Sequence, residues 1–300
     1  MKYKNQDIED DEIRVIGGET GGHSNRKALC IVLVVLGVIV AGVLLWWTIK
    51  GFTPEPFPPE EDPPEQGYYD PIPETVEQPE IKTPLSQIVE ADHAFVELID
   101  TTINDIPLKI NIPHKMRFTL YVGAINREDP TILFATQAAD VRADNGGIVG
   151  AFVKEGEPLA WGGSKRGYCA IINDTVSIGV ADNTPLFEEA TEKMGYFFRQ
   201  FPLVDNGQLV ENEPKGKSIR RAICDRGGEI IIVSSESEES FHDFAQALVD
   251  LGMDQAIYLV GSNSYGWATD INGQRQAFGN PTPPKKKWKN ISYLMMRAME

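Results

Sequence analysis

What this 300-residue sequence has least of is the residue chemistry of a metal or nucleophile site. Its four histidines (His23, His93, His114, His242) are scattered, and none of its three cysteines has CxxC spacing, so nothing points to zinc. No GxSxG elbow, HExxH, P-loop or GxGxxG occurs. Their absence removes the usual signatures of serine hydrolases, zinc peptidases, nucleoside triphosphatases and dinucleotide-binding enzymes. Neither a metal nor a cofactor is expected. Basic charge is scarce too: 28 Lys and Arg stand against 44 Asp and Glu, a net charge of −16. Without a basic stripe interleaved with aromatics, the chain lacks the electrostatic footprint of a nucleic-acid binder. Lys285, Lys286 and Lys287 form the only basic cluster, and a solvated loop accounts for them.

One long apolar run is present. Residues 28–49 carry no charged side chain and consist of Ala, Leu, Ile, Val, Gly, Cys and Trp with a single Thr. A helix of about 22 residues covers the ~30 Å hydrocarbon core of a bilayer, and Trp46 and Trp47 at its far end suit the headgroup level. The run exceeds the ~7–15 residues of a signal-peptide core, and no small-x-small cleavage pattern follows it. It therefore reads as a single transmembrane helix. Arg26 and Lys27 abut the near side and only Lys50 the far side, which places residues 1–27 in the cytoplasm and exports the rest to the periplasm or cell exterior. The tail itself is polar and reads as disordered.

Residues 50–84 read as a stalk. Between Gly51 and Pro84 ten residues are proline and nine are acidic. Proline fixes φ and removes backbone donors, so the segment favours extended polyproline conformation and reaches at most about 100 Å. A stalk of this kind suits passage through a crowded layer; a spacer without further role is the plain alternative. Much of the negative charge lies here rather than in the domain beyond. Cys169 and Cys224 are the only exported cysteines, and the sequence leaves open whether they form a disulfide or stay two buried thiols.

From residue 85 to 300 the sequence reads as one α+β domain, sheet-dominated with a few helices. Strands are predicted at 108–112, 118–122, 132–135, 148–153, 158–161, 169–172, 176–180, 197–204, 219–224, 229–234, 256–260 and 291–296. Asn173-Asp174, Asp205-Asn206-Gly207 and Asp225-Arg226-Gly227-Gly228 supply turns. Phe241, Phe244, Ala245, Leu248 and Leu251 form one apolar stripe, predicting a helix over 238–251 that Ser235 or Ser237 caps and Gly252 ends. A shorter helix is predicted at 186–194. Residues 85–99 fit a helical face, while their second half also fits a strand.

Three places can carry chemistry. The strand at 256–260 runs into Gly261-Ser262-Asn263-Ser264, a small polar loop whose backbone donors can approach a ligand closely, although such loops are also ordinary turns. Arg199 with Gln200, and Arg220 with Arg221, lie inside apolar strands, so one of each pair turns inward, and an inward arginine needs a carboxylate partner or an anionic ligand. Asp140, Arg142 and Asp144 form a compact charged group for which a solvated turn is the default.

The order of these segments resembles a known family. Arg220-Arg221-Ala222-Ile223-Cys224 is followed by a glycine turn, Ile230-Ile231-Ile232-Val233, a helix with Phe244-Ala245, and Tyr258-Leu259-Val260-Gly261-Ser262. Upstream stand Leu133-Phe134-Ala135-Thr136-Gln137-Ala138, Val149-Gly150-Ala151-Phe152-Val153 and Pro202-Leu203-Val204-Asp205-Asn206-Gly207. Over about residues 118–297 this is similar to the phosphodiester glycosidases, which include the uncovering enzyme of lysosomal sorting. The resemblance implies a hydrolase that cleaves between a sugar's anomeric carbon and a phosphodiester oxygen, with Arg220 meeting the phosphate. Three positions depart from the family pattern: Val260 replaces an Asp, Gln137 an Asn and Cys224 a Gly. Valine cannot serve as acid or base.

Two functional expectations follow. One is a divergent membrane-anchored hydrolase of envelope glycosyl phosphodiesters, with Arg220, Gln200 and Gln137 among the binding groups and Asp140 as the substitute catalytic carboxylate. The other is a pseudoenzyme that binds envelope glycan or phosphate through the same residues and the 261–264 loop.

Overall fold

The computed structural model describes residues 82–88, 90, 92–262, 264–281 and 290–299. The predicted tail, the predicted span at 28–49 and nearly all of the stalk lie outside them. Among the described residues no helix is long and apolar enough to cross a membrane.

In chain order the strands begin β1 (Phe95–Ile103), β2 (Ile106–His114), β3 (Met116–Val122), β4 (Phe134–Gln137), β5 (Phe152–Lys154), β6 (Glu157–Ala160), β7 (Gly167–Ile172) and β8 (Thr175–Val180). Helix α1 (Leu186–Glu192) follows, then β9 (Tyr196–Gln200), β10 (Pro202–Asp205), β11 (Gln208–Leu209), β12 (Ser218–Arg226) and β13 (Glu229–Glu239). Helix α2 (Phe241–Asp250) precedes β14 (Gln255–Leu259), β15 (Gly266–Thr269), β16 (Arg275–Phe278) and β17 (Ser292–Ala298). Three sheets result: β1-β2-β13-β12-β14-β10-β11, β16-β15-β4-β17-β3, and β6-β5-β9-β7-β8. The sheet-dominated mixed class expected from the sequence is the one observed.

Period-two alternation decides which core each side chain joins. On β12, β13 and β14, Ile223, Ile232, Ile257 and Leu259 face a core shared with Phe134, Phe152, Phe198 and Leu294 of the other two sheets. Their neighbours Ala222, Cys224, Ile231, Val233 and Tyr258 face a second core under α2, with Phe241, Phe244 and Leu248. Strands buried on both faces explain the unbroken apolar runs in the sequence. Cys169 lies in the first core and Cys224 in the second; both are free thiols, and burial raises the pKa of each.

The structure corrects several boundaries. The helix cap is Ser240 rather than Ser235 or Ser237: its hydroxyl accepts the Asp243 N–H at 3.0 Å, because β13 continues to Glu239. The second half of the ambiguous 85–99 segment is strand β1. Most consequential, the strand predicted over 197–204 is two strands in different sheets. Pro202 has no N–H to continue a ladder, and the Phe201 N–H is taken by the Gln200 side-chain oxygen at 3.0 Å.

At the domain's first strand, Glu97 is buried and accepts from the Ser86 hydroxyl at 2.7 Å and the Gln87 N–H at 3.0 Å, with His114 Nε2 at 2.9 Å. Burial by itself would raise its pKa, but these bonds outweigh it and hold the carboxyl below its ordinary value. A depressed folded-state pKa contributes stability that is present above the unfolded value of about 4.3 and lost as pH falls through the folded one. Thermal melts are therefore expected to show Tm falling below about pH 4, and Glu97→Gln to reduce that fall.

Candidate functional site

The crossing at Phe201 gathers the first group of polar side chains. Lys165 is buried; its ammonium donates to Asp140 Oδ2 and, at 2.8 Å, to Gln200 Oε1. Gln200 Nε2 donates to the same Asp140 oxygen at 3.1 Å. The Lys165 amine also lies 4.2 Å from the centre of the Phe201 ring. Arg199, which faces away, fixes this arrangement from behind by donating to the backbone carbonyls of Lys165 (3.0 Å), Ala181 (2.7 Å) and Asp182 (2.9 Å). Lys165 is the residue that sequence reasoning missed. It follows Gly162-Gly163-Ser164, all exposed, and nothing in that stretch distinguishes an inward lysine from a solvated turn.

An aromatic row carries the site onward. Phe201 meets Phe241 at a tilt with ring centres 5.4 Å apart, and Phe241 meets Tyr258 edge to face at 5.0 Å. The Arg220 guanidinium lies 4.1 Å above the Phe241 ring. Arg220 occupies an irregularity in the β12–β13 ladder, between the pairs Ile219–Glu238 and Arg221–Ser234, and its own N–H goes to the Ser235 hydroxyl at 2.8 Å. Bulges of this kind re-aim a side chain. Its guanidinium donates to the carbonyls of Glu239 (2.8 Å) and Gly216. At the end of the row the Tyr258 hydroxyl accepts the Gly261 N–H at 3.1 Å. Burial raises the pKa of this phenol, the field of Asp140 adds to the rise, and Arg220 opposes it. Asp140 and Arg220 thus act on one hydroxyl. Two cations against one carboxylate leave a single positive charge over a mostly apolar floor, an arrangement suited to a singly charged anion with an apolar face.

Arg221 points to the opposite side of the sheet. Its Nε donates to Ser234 Oγ (2.9 Å), and its Nη1 to Thr136 Oγ1 (2.7 Å), Ser264 Oγ (3.2 Å) and the Val260 carbonyl (3.4 Å). Phe278 stacks on it at 4.1 Å. All of these hydrogen-bond partners are neutral oxygens, and burial pushes the guanidinium down to about 10. Arg221 clasps the loop after β14 to the second sheet. Gly261 is required there, since a Cβ would stand 2.1 Å from the Ile219 carbonyl. Ser262 is exposed at φ 46° and donates its N–H to Ile219 at 2.7 Å. Asn263 lies outside the described residues.

Gln137 is not brought to this cluster. Its amide donates to the Ala139 carbonyl at 3.4 Å, and Ala135, on the same face of β4, packs with Trp267 and Met295 in an outer core. Its neighbour Thr136 faces Arg221 instead. Arg142 and Asp144 pair with each other in an exposed turn at 3.2 Å. Among the described residues no three His, Cys, Asp or Glu converge as metal ligands would. A groove of about 520 Å³, lined among others by Lys154, Tyr196 and Arg297, shares no residue with the cluster, so chemistry rather than concavity locates the site.

The sequence model of the phosphodiester glycosidase family matches residues 131–291, which contain every member of the cluster. The chain belongs to the phosphodiester glycosidase family. Solved structures similar to it include the zebrafish N-acetylglucosamine-1-phosphodiester alpha-N-acetylglucosaminidase catalytic domain auto-inhibited by its pro-peptide, at 14% identity over 69% of this chain and 83% of that one, TM-score 0.49. Another is a hypothetical protein from Synechocystis, at 13% identity over 73% and 64%, TM-score 0.48. No curated protein sequence matches the chain. The loop that clasps to Arg221 begins at Val260.

Proposed function

We propose that this phosphodiester glycosidase-like domain is held outside the cytoplasm by the span at residues 28–49, where it binds glycosyl phosphodiesters of the cell envelope without its family's cleavage step. One observation carries the reading. Lys165 and Arg220 flank a continuous row of Phe201, Phe241 and Tyr258 with Asp140 as the single opposing charge. A phosphodiester carries one negative charge, and a sugar presents apolar C–H faces that suit aromatic rings. The loop that completes this site holds Val260 where the family pattern has an ionisable residue, so the proton chemistry of that carboxylate is missing.

Calorimetry with methyl glycosyl phosphodiesters is expected to give binding without sugar release. Val260→Asp is expected to leave release undetectable. Recovery of turnover in that variant would show that one side chain separates this domain from an active enzyme. Protease added outside intact cells tests which side of the membrane the domain occupies.

A second reading rests on Asp140, whose carboxylate acts on the Tyr258 hydroxyl, as Arg220 does. In that case Asp140 supplies the missing carboxylate. Sugar release by the unaltered protein, abolished in Asp140→Asn, would establish it over the first.

A further inference from the structure

We infer that Trp161 is the sugar-stacking residue of this site, an indole held at its rim to cover the face of the glycosyl ring while the phosphodiester meets Lys165 and Arg220. The inference rests on the reading of the site as one for glycosyl phosphodiesters and adds which part of the ligand is read by what. Among the exposed large apolar residues described, Trp161, Met194, Ile271 and Met299, it is the only aromatic, with 73% of its surface in water. A lone exposed apolar residue is unremarkable by itself. The position of Trp161 is what sets it apart.

It stands where β6 has ended, four residues before Lys165, on Gly162-Gly163-Ser164. Both ends of that short segment are tied to the site. At one end the Gly162 carbonyl accepts the Ala151 N–H at 3.0 Å, while the Asp140 carbonyl accepts the N–H of Val149, two residues earlier, at 2.9 Å. At the other end the Lys165 side chain enters the Asp140–Gln200 cluster and its carbonyl is held by Arg199. Between these anchors Gly163 has open space where a side chain would be. The indole is thus carried on a segment with little steric restriction whose two ends are fixed beside the charged groups. An indole presents a large rigid face at low entropy cost, the property that suits the apolar C–H face of a pyranose.

The test is calorimetry on the full-length protein with the methyl phosphodiesters of glucose, galactose, mannose and N-acetylglucosamine, and with dimethyl phosphate as a phosphodiester lacking sugar. Trp161→Ala is expected to weaken the best glycosyl ligand roughly tenfold. Dimethyl phosphate affinity and Tm should not change, and Trp161→Tyr should recover most of the loss. Equal affinity of wild type and Trp161→Ala for the glycosyl ligands overturns the assignment of Trp161 while leaving the phosphodiester site standing. An equal loss for dimethyl phosphate also overturns it, because the indole would then be acting on the charged group. If the wild-type protein binds none of the five probes, the underlying reading of the site falls and takes this one with it.

Discussion

Lys165→Met is expected to weaken glycosyl phosphodiester binding on the order of a hundredfold and to lower stability by about 2–3 kcal/mol. The ammonium is nearly solvent-free, with 7% of the side chain exposed, and Asp140 keeps only 26%. Removing the amine leaves the carboxylate without its counter-charge and takes the donor from Gln200 Oε1, which then has only the Phe201 N–H. Methionine matches the length of the lysine stem, so the loss is electrostatic rather than a cavity. The double variant Lys165→Met/Asp140→Asn separates the two effects. It should regain much of the stability, since no uncompensated charge remains, and should still fail to bind. Denaturant unfolding and calorimetry on the same preparations check both. Full binding by the single variant would remove the central cation from the site.

Phe241→Ala carries the largest expected cost in stability, about 3–5 kcal/mol. The ring is 4% exposed and touches Phe201, Tyr258 and the Arg220 guanidinium, so its loss opens a cavity and takes away the surface on which Arg220 lies. Phe244→Ala is the matched control. Phe244 is fully buried three residues along the same helix, in the same core, and should cost a similar amount. Only Phe241→Ala is expected to reduce ligand affinity at temperatures where both variants remain folded. Equal affinities would assign Phe241 to the core alone.

The sequence made the family and much of the fold legible because those depend on local, repeated signals. The stripe through Phe241, Phe244 and Leu248 became helix α2. Asn173 and Asp174, both at positive φ, close the β7–β8 hairpin as their chemistry predicts. The segment order from Arg220 to Gly261 was enough to place the chain among the phosphodiester glycosidases. What escaped depends on contacts between distant segments. A run such as Phe197–Val204 is apolar throughout, so periodicity alone does not show that the chain changes sheets at Phe201. Lys165 sits in a stretch with the composition of a surface turn. Strands β15 and β16 are four residues each, and β16 is mostly exposed, leaving no alternation to detect. The choice between Gln137 and Thr136 is one of parity: each residue on a strand faces opposite to the next, and only the three-dimensional register shows that the threonine meets Arg221.

The passage of the chain through Phe201 places the site on a seam. Gln200 ends a strand of one sheet, Pro202 begins a strand of another, and the Phe201 amide is tethered by a side chain instead of a neighbouring strand. Slippage between those two layers would change the spacing of the Lys165 and Arg220 ends of the site. A bound ligand that bridges both ends would therefore lock the layers in register, and the amide proton at the seam, slowed in its exchange with solvent, would report that locking.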